Sequence, residues 1–288
     1  KDRGRPTVNA DGTVEDAVGW ADPQNPDKAW RAEGQSETCI LSPHQQADIK
    51  FWEQQKSILI GDEAGSGKTA VALCGIAHLA SQGKVKKALL VVPKSVLAQM
   101  AKPGKDGSPS EAQKFLSPEM AARVQAVSSD DYGPEQRRQL YAGDALITVV
   151  THDTVRNDAA ALQAAGFDCL VVDEAHYFTE REKGKASARS KALRELQPPY
   201  RMLLTGTPVK NDMSELHSLV EYLQPGLLGP LKQFMDKYGK LGQTVGPMDN
   251  SVMRALQAKL DGVFIGVKMT VARNKDGQEV LSLKPEER

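Results

Sequence analysis

Residues 58–73 read ILIGDEAGSGKTAVAL. An apolar run meets a glycine-rich turn, then Lys68 and Thr69, then an Ala- and Leu-rich segment. That order predicts strand, loop and helix, the arrangement in which backbone N–H groups and a helix N-terminus cradle phosphate oxygens. The pattern G-x-x-x-x-G-K-[ST] is met at Gly67, Lys68 and Thr69. Its first glycine is not: Asp62 stands there, and Gly61 sits one residue too early. Gly65, Ser66 and Gly67 still supply the turn. In this chemistry Lys68 contacts the β- and γ-phosphates of a nucleoside triphosphate, and the Thr69 hydroxyl binds Mg²⁺. Phosphate binding alone does not explain the acids Asp62 and Glu63.

Further apolar runs lie on either side of this turn: 57–61, 88–93, 122–127, 145–150, 168–173 and 200–205. They are apolar almost throughout, as strands buried on both faces should be. Helical patterns fall between them at 69–82, 94–101 with 110–116, 134–142, 153–165 and 186–196. The alternation predicts an α/β fold, a parallel sheet with helices on both faces. After Pro208 the pattern turns helical through SELHSLVEYL and LKQFMDKYG, and 274–288 reads as a hairpin or linker. Residues 1–38 are polar and punctuated by Gly and Pro, and read as an extension with little structure of its own. Within it, Trp20 and Trp30 can tack the segment onto a neighbouring surface. The expected division is therefore 1–38, a nucleotide-binding lobe at 39–240, and a connecting segment at 241–288.

CLVVDEAH (169–176) supplies a second element of the site. An apolar strand ending in Asp173 and Glu174 puts two carboxylates at the C-terminal edge of the sheet, where open α/β sheets bind ligands. Asp173 would hold Mg²⁺, and Glu174 would orient the water that attacks the γ-phosphate. RMLLTGTPVKND (201–212) ends another buried strand in Thr205, Gly206 and Thr207; alone it is an ordinary strand-to-turn exit, whose two threonine hydroxyls could link the phosphate site to another surface.

Together, LSPHQ (41–45), GDEAGSGKT (61–69), LLVVPKSVLAQM (89–100), ITVVTHDTV (147–155), VVDEAH (171–176) and LLTGTPVKNDMSELHSLVEYLQPGLLG (203–229) resemble the first RecA-like motor lobe of superfamily-two translocases, within their Swi/Snf-type branch. The resemblance spans 41–238, and the continuation after LTGTP is its most specific part. It accounts for Asp62 and Glu63, since that branch carries an acid pair before the glycines. It departs at Ala64-Gly65-Ser66, where larger side chains are usual, and around Gly266-Val267, where an arginine pair is usual. The resemblance implies that Gln45 reads the adenine edge and that His176 bridges the nucleotide site to Thr205 and Thr207. It also implies that Lys94, Ser95, Thr151 and His152 meet a nucleic-acid backbone.

The family further implies an ATP- and Mg²⁺-dependent motor that moves along duplex DNA and displaces or remodels bound proteins. Such a motor needs a second RecA-like lobe in the same chain, and no sequence after residue 240 resembles one. The expectation is a piece of a longer protein, near-inactive as an ATPase by itself. Two other readings are a strand-separating helicase or restriction-type motor subunit, and an ATP-gated clamp without hydrolysis. Composition limits partners: 37 basic residues balance 37 acidic ones, so any nucleic-acid contact must come from a local face. The basic run 180–194 reads first as a solvated face. Three separated cysteines fit a reducing compartment better than a disulfide frame. No apolar run reaches the roughly 18 residues of a membrane helix. The expected location is intracellular, in the nucleus for a eukaryotic protein and in the cytoplasm for a bacterial or viral one.

Overall fold

The computed structural model describes residues 32, 34–62, 65–179, 187–206, 213–239 and 255–265 in full. It also describes the backbone of 7–8, 14–15, 181–182, 185–186, 250–254, 267–273 and 279–285. Trp20, Trp30, Glu63, Thr207 and Gly266 lie outside the described residues.

In chain order, a two-stranded hairpin of β1 (Thr7–Val8) and β2 (Val14–Glu15) precedes α1 (Pro43–Gln55), β3 (Ser57–Ile60) and α2 (Lys68–Ser81). Next come β4 (Ala88–Val92), α3 (Lys94–Ala101), α4 (Glu111–Phe115), α5 (Pro118–Ala121), β5 (Val124–Ala126) and α6 (Pro134–Ala142). β6 (Ile147–Thr151), α7 (His152–Ala164) and β7 (Cys169–Val172) follow, and then a 3₁₀ turn at Ala175–Phe178. A short hairpin, β8 (Arg181–Glu182) and β9 (Lys185–Ala186), leads to α8 (Ala188–Glu195) and β10 (Tyr200–Leu204). The chain ends with α9 (Met213–Leu223), α10 (Leu231–Tyr238), α11 (Asn250–Leu260), β11 (Phe264–Ile265) and the hairpin β12 (Val267–Arg273) and β13 (Glu279–Pro285).

Seven strands make one parallel sheet in the order β11-β3-β10-β7-β4-β6-β5. The six apolar runs read from sequence are its six longer strands. Every residue of β3, β4, β6 and β7 is buried. Successive side chains of a strand point to opposite faces, so each strand feeds two cores. Ile58, Ile60, Leu90, Val92, Val171, Met202 and Leu204 pack with α1, α2 and α3. Leu59, Leu89, Val91, Leu170, Val172 and Leu203 pack with α7, α8, α9 and α11. On the first face Trp52 of α1 packs closely on α2: a Cβ at Gly75 would stand 2.9 Å from its ring. The Trp52 indole N–H is shared by the carbonyls of Lys56 and Arg201, each 3.2 Å away.

The packed lobe overruns both expected boundaries. Ala32 is buried, and Gln35 bridges to Leu116 and donates to the Cys39 carbonyl, so the lobe begins before residue 39. At the other end Leu256, Leu260, Val263 and Phe264 are buried, and β11 adds a seventh strand beside β3. A two-residue strand that pairs across two hundred positions leaves no local periodicity to read. Among the described residues no helix is long and apolar enough to cross a membrane.

α7 opens with His152, one of the residues expected at the site, and it is anchored by ionic contacts to α6. Arg137 grips Asp158 through two hydrogen bonds, Nε to Oδ2 at 2.6 Å and Nη2 to Oδ1 at 2.7 Å. The Tyr141 hydroxyl donates to the same carboxylate at 2.8 Å. The side chains of Arg137 and Asp158 are only 8% and 10% exposed. Burial alone would push the Asp158 carboxyl up, but the Arg137 and Tyr141 hydrogen bonds and the Arg137 charge hold it below its ordinary value. A depressed native pKa stabilises the fold at pH above the unfolded value, and that stabilisation is lost as pH falls through the native one. Asp158→Asn should therefore lower stability at pH 7 by about 3 kcal/mol, because Arg137 is left buried without its partner. The gap to wild type should close only below the ordinary aspartate pKa of about 3.9. Urea midpoints for both proteins from neutral pH downward check this; a gap that stays constant would contradict it.

Candidate functional site

The register of the sheet brings five strand ends level. Leu204 sits opposite Ile60, Leu203 opposite Val172, Val91 opposite Val172, and Val92 opposite Thr151. The segments that follow, at Gly61, Thr205, Asp173, Pro93 and His152, therefore leave the sheet along one edge in the order β3, β10, β7, β4, β6.

At the β3 end the chain turns through Gly65 and Gly67 into α2. Both glycines have positive φ, 86° and 84°. A side chain there would be strained, by roughly 1–2 kcal/mol. A Cβ on Gly67 would also stand 2.2 Å from the Gln45 amide nitrogen. Lys68 opens α2, and its ammonium donates to the Asp62 carbonyl at 2.9 Å, across the mouth of the turn. The Ser66 hydroxyl is buried without a hydrogen-bond partner. Positive-φ glycines, a helix N-terminus, a lysine lying over the loop and an unsatisfied hydroxyl fit a phosphate group.

Gln45 is held from both sides. Its Oε1 accepts from the Ser42 N–H at 2.9 Å, and its Nε2 donates to the Ser66 carbonyl at 3.2 Å. The amide ties the start of α1 to the phosphate loop and keeps one N–H and one lone pair for a further partner. Ser42 was not singled out from sequence. Its signal was present, since S-x-x-Q before a helix is a capping box.

Asp173 and Glu174 follow β7. Burial, with the adjacent Glu174 charge, holds the Asp173 carboxyl above its ordinary value, and Lys68 opposes the shift. A divalent cation would restore the ionised form, and the oxygen donors Asp173 and Thr69 suit hard Mg²⁺. Glu174 has left-handed backbone, φ 50° and ψ 50°. Non-glycine residues in that region are strained, and such strain gathers at functional sites. The turn brings the Glu174 Oε2 to 3.1 Å from the His176 Nδ1. The same nitrogen lies 3.3 Å from the hydroxyl of Thr205, which is fully buried. Gly206 continues the turn after Thr205.

The four residues expected at a nucleic acid separate into two pairs. Lys94 and Ser95 are exposed at the start of α3, with Lys94 paired to Asp130 at 2.8 Å. Thr151 and His152 are buried. The Thr151 hydroxyl caps α7 by accepting from the Thr154 N–H at 3.2 Å. His152 donates from Nε2 to the Asp173 carbonyl at 2.7 Å. Burial pushes its imidazole below the ordinary histidine value, which keeps it neutral. The structure thus places the His152 side chain with the carboxylate pair and apart from Lys94. From the start of α7, a phosphate would meet backbone rather than these two side chains.

Substitutions at two positions test this geometry. Gly67→Ala should cost about 1–2 kcal/mol of stability from backbone strain. It should also push Gln45 aside and weaken ATP binding by more than it weakens binding of other nucleoside triphosphates; titrations with fluorescent nucleotides check this. At position 174 glycine should be more stable than alanine by about 1 kcal/mol, the reverse of the usual order, because only glycine relieves the left-handed strain. Urea midpoints of Glu174→Gly and Glu174→Ala decide it, since both lose the same carboxylate.

Known proteins resemble this chain in sequence and in fold. The sequence pattern described as the SNF2-related domain matches residues 30–263. The CHD3-type chromatin-remodeling factor PICKLE of Arabidopsis thaliana is 25% identical over 225 residues, 71% of this chain and 16% of that protein. The DNA repair and recombination protein RAD54-like of Gallus gallus is 28% identical over 218 residues, 68% of this chain and 28% of that protein. The chain thus spans less than a third of either relative. Among solved structures, the Sulfolobus solfataricus SWI2/SNF2 ATPase core in complex with dsDNA superposes with a TM-score of 0.64 over 82% of this chain and 46% of that one, at 24% identity. That likeness bears on the fold: a RecA-like parallel sheet wrapped by helices. With more than half its length matched by the family pattern, the chain belongs to the SNF2-related family.

Proposed function

We propose that this chain is the first lobe of a DNA-dependent ATPase that moves along duplex DNA and displaces or remodels bound proteins. The observation that carries the reading is the single edge on which Lys68, the Asp173–Glu174 pair and the His176–Thr205 contact meet. Membership of a family that includes chromatin-remodelling and DNA-repair proteins supports the same choice, as does the dsDNA in the Sulfolobus complex.

In this mechanism Gln45 receives the adenine edge, and the 65–69 turn receives the phosphates. Lys68 leaves the Asp62 carbonyl for the β- and γ-phosphate oxygens. Thr69 and Asp173 would hold Mg²⁺, which neutralises charge developing on those oxygens when bound. Glu174 holds the attacking water in line with the bond from the γ-phosphorus to its leaving oxygen. His176 passes the state of that site to Thr205, and onward to Gly206 and Thr207. Lys94 and Ser95 meet DNA phosphates, which carry no base sequence and suit a motor that steps along any sequence. A second RecA-like lobe in the same protein closes on the nucleotide and supplies arginine. Such fingers are worth about 10³–10⁵ in rate in related phosphoryl transfer. Three buried cysteines that form no disulfide suit work in a reducing compartment, the nucleus of a eukaryote or the cytoplasm of a bacterium.

The test is the ATPase rate of the full-length protein alone, with duplex DNA, with single-stranded DNA and with RNA, at two salt concentrations. Stimulation by duplex DNA that fades with salt is expected, because phosphate contacts release counterions. Lys68→Ala should abolish it. The present 288 residues alone should hydrolyse ATP at or near background. Preference for a single strand or RNA would instead favour an unwinding helicase, and bound ATP without any stimulation would favour a clamp.

A further inference from the structure

We propose that His152 is a positioning residue that ties the DNA-facing end of the sheet edge to the catalytic carboxylate pair. This rests on the motor reading above. β6 and β7 are not neighbours, because β4 lies between them. Two strand spacings, roughly 10 Å, separate their ends. His152 is the first residue of α7, directly after β6, and its imidazole crosses the tip of β4 to reach the Asp173 carbonyl at 2.7 Å. A carbonyl only accepts, so Nε2 carries the proton.

The carbonyl is open to His152 because of Pro93. In a parallel pair, every second residue faces the partner strand and bonds to the positions before and after its opposite number. The Asp173 N–H donates to the Val91 carbonyl at 2.8 Å. The Asp173 carbonyl should then accept from the N–H of residue 93. That residue is proline, which has none. The ladder breaks at the catalytic aspartate, and a side chain from β6's side fills the gap.

A second contact runs parallel to the first. The His152 ring lies 5.2 Å from Tyr177, and Tyr177 lies 4.5 Å from His176. His176 in turn meets Glu174 and Thr205. Phe178 backs His152 on another side at 5.4 Å. Asp153, beside His152, is held by Arg189 at 2.9 Å and Arg156 at 3.6 Å, so the local acid is offset where a phosphate would approach. A phosphate that shifts the start of α7 would therefore move the backbone of Asp173 directly and the His176 ring through Tyr177.

Two variants of the full-length protein separate the hydrogen bond from the packing. His152→Phe keeps a ring against Tyr177 and Phe178 but removes the N–H, and His152→Gln restores an N–H donor. With duplex DNA present, His152→Phe should lower kcat about tenfold or more and raise the Mg²⁺ needed for half-maximal rate, as loss of an outer contact that orients a metal-binding residue does. KM for ATP at saturating Mg²⁺ and the Kd for DNA should stay within about twofold, since neither ligand's own contacts are removed. His152→Gln should recover most of the lost rate. Unchanged kcat and Mg²⁺ requirement in His152→Phe would overturn the proposal, and so would a failure of His152→Gln to recover. A wild-type protein indifferent to duplex DNA would instead sink the motor reading. The Mg²⁺ requirement of the two variants would still decide the link from His152 to Asp173.

Discussion

The register of one parallel sheet is the constraint on which the rest depends. Leu59, Leu203, Val172, Val91 and Val150 are level, so five chains leave the sheet together on one side. A one-residue slip of any strand would exchange its two core faces and also shift the candidate site residues that follow it by about 3.3 Å. Core packing and the alignment of the candidate site are thus secured by the same contacts. Ile58 and Ile60 fix β3 against α1 and α2 while Leu59 fixes it against the opposite helices. The phosphate loop inherits that precision from apolar residues it never touches.

At the edge itself the residues are placed against their own preferences. Asp173 is buried and sits beside another carboxylate, which disfavours its charge. Glu174 occupies left-handed backbone that favours glycine. Lys68 satisfies its ammonium on a backbone carbonyl of its own loop. Each arrangement is improved by a bound partner. A cation favours ionised Asp173, and phosphate oxygens are better acceptors for Lys68 than a neutral carbonyl is. The stability needed to hold these groups comes from elsewhere, from strands buried on both faces and from the bidentate Arg137–Asp158 contact between α6 and α7.

The sheet was legible because a parallel strand buried on two faces must be apolar at nearly every position, and six runs meet that demand. α3 and α6 fall where the pattern put them, and α2, α7 and α8 lie within two residues of their expected limits. β11 was not legible: Phe264 and Ile265 become a strand only because β3 offers them a free edge from far away in the chain. Lys68, Asp173 and Glu174 stood out as residue types in a spacing that phosphoryl transfer requires. His152 was placed with the nucleic-acid residues, since position after a strand was the only signal available. Its burial and its acceptor depend on strand order, which the alternation of elements does not reveal. The left-handed turn at Glu174 is silent in sequence for a related reason, because glycine is the residue that announces such a turn.

Pro93 shows how one residue can serve three levels of the structure. It ends β4, since a proline cannot continue donating to a ladder. It stands as the residue before α3, with φ −58°, and so sets Lys94 and Ser95 on the outward start of that helix. It also leaves the Asp173 carbonyl without a strand partner. An alanine there would offer an N–H to Asp173 and make the ladder regular. The sheet would gain a hydrogen bond, and His152 would lose its acceptor. The irregular ladder thus joins strands that the sheet order keeps apart. The nucleotide end at β3, β10 and β7 and the outer end at β4 and β6 meet at a carbonyl that a regular strand would have closed off.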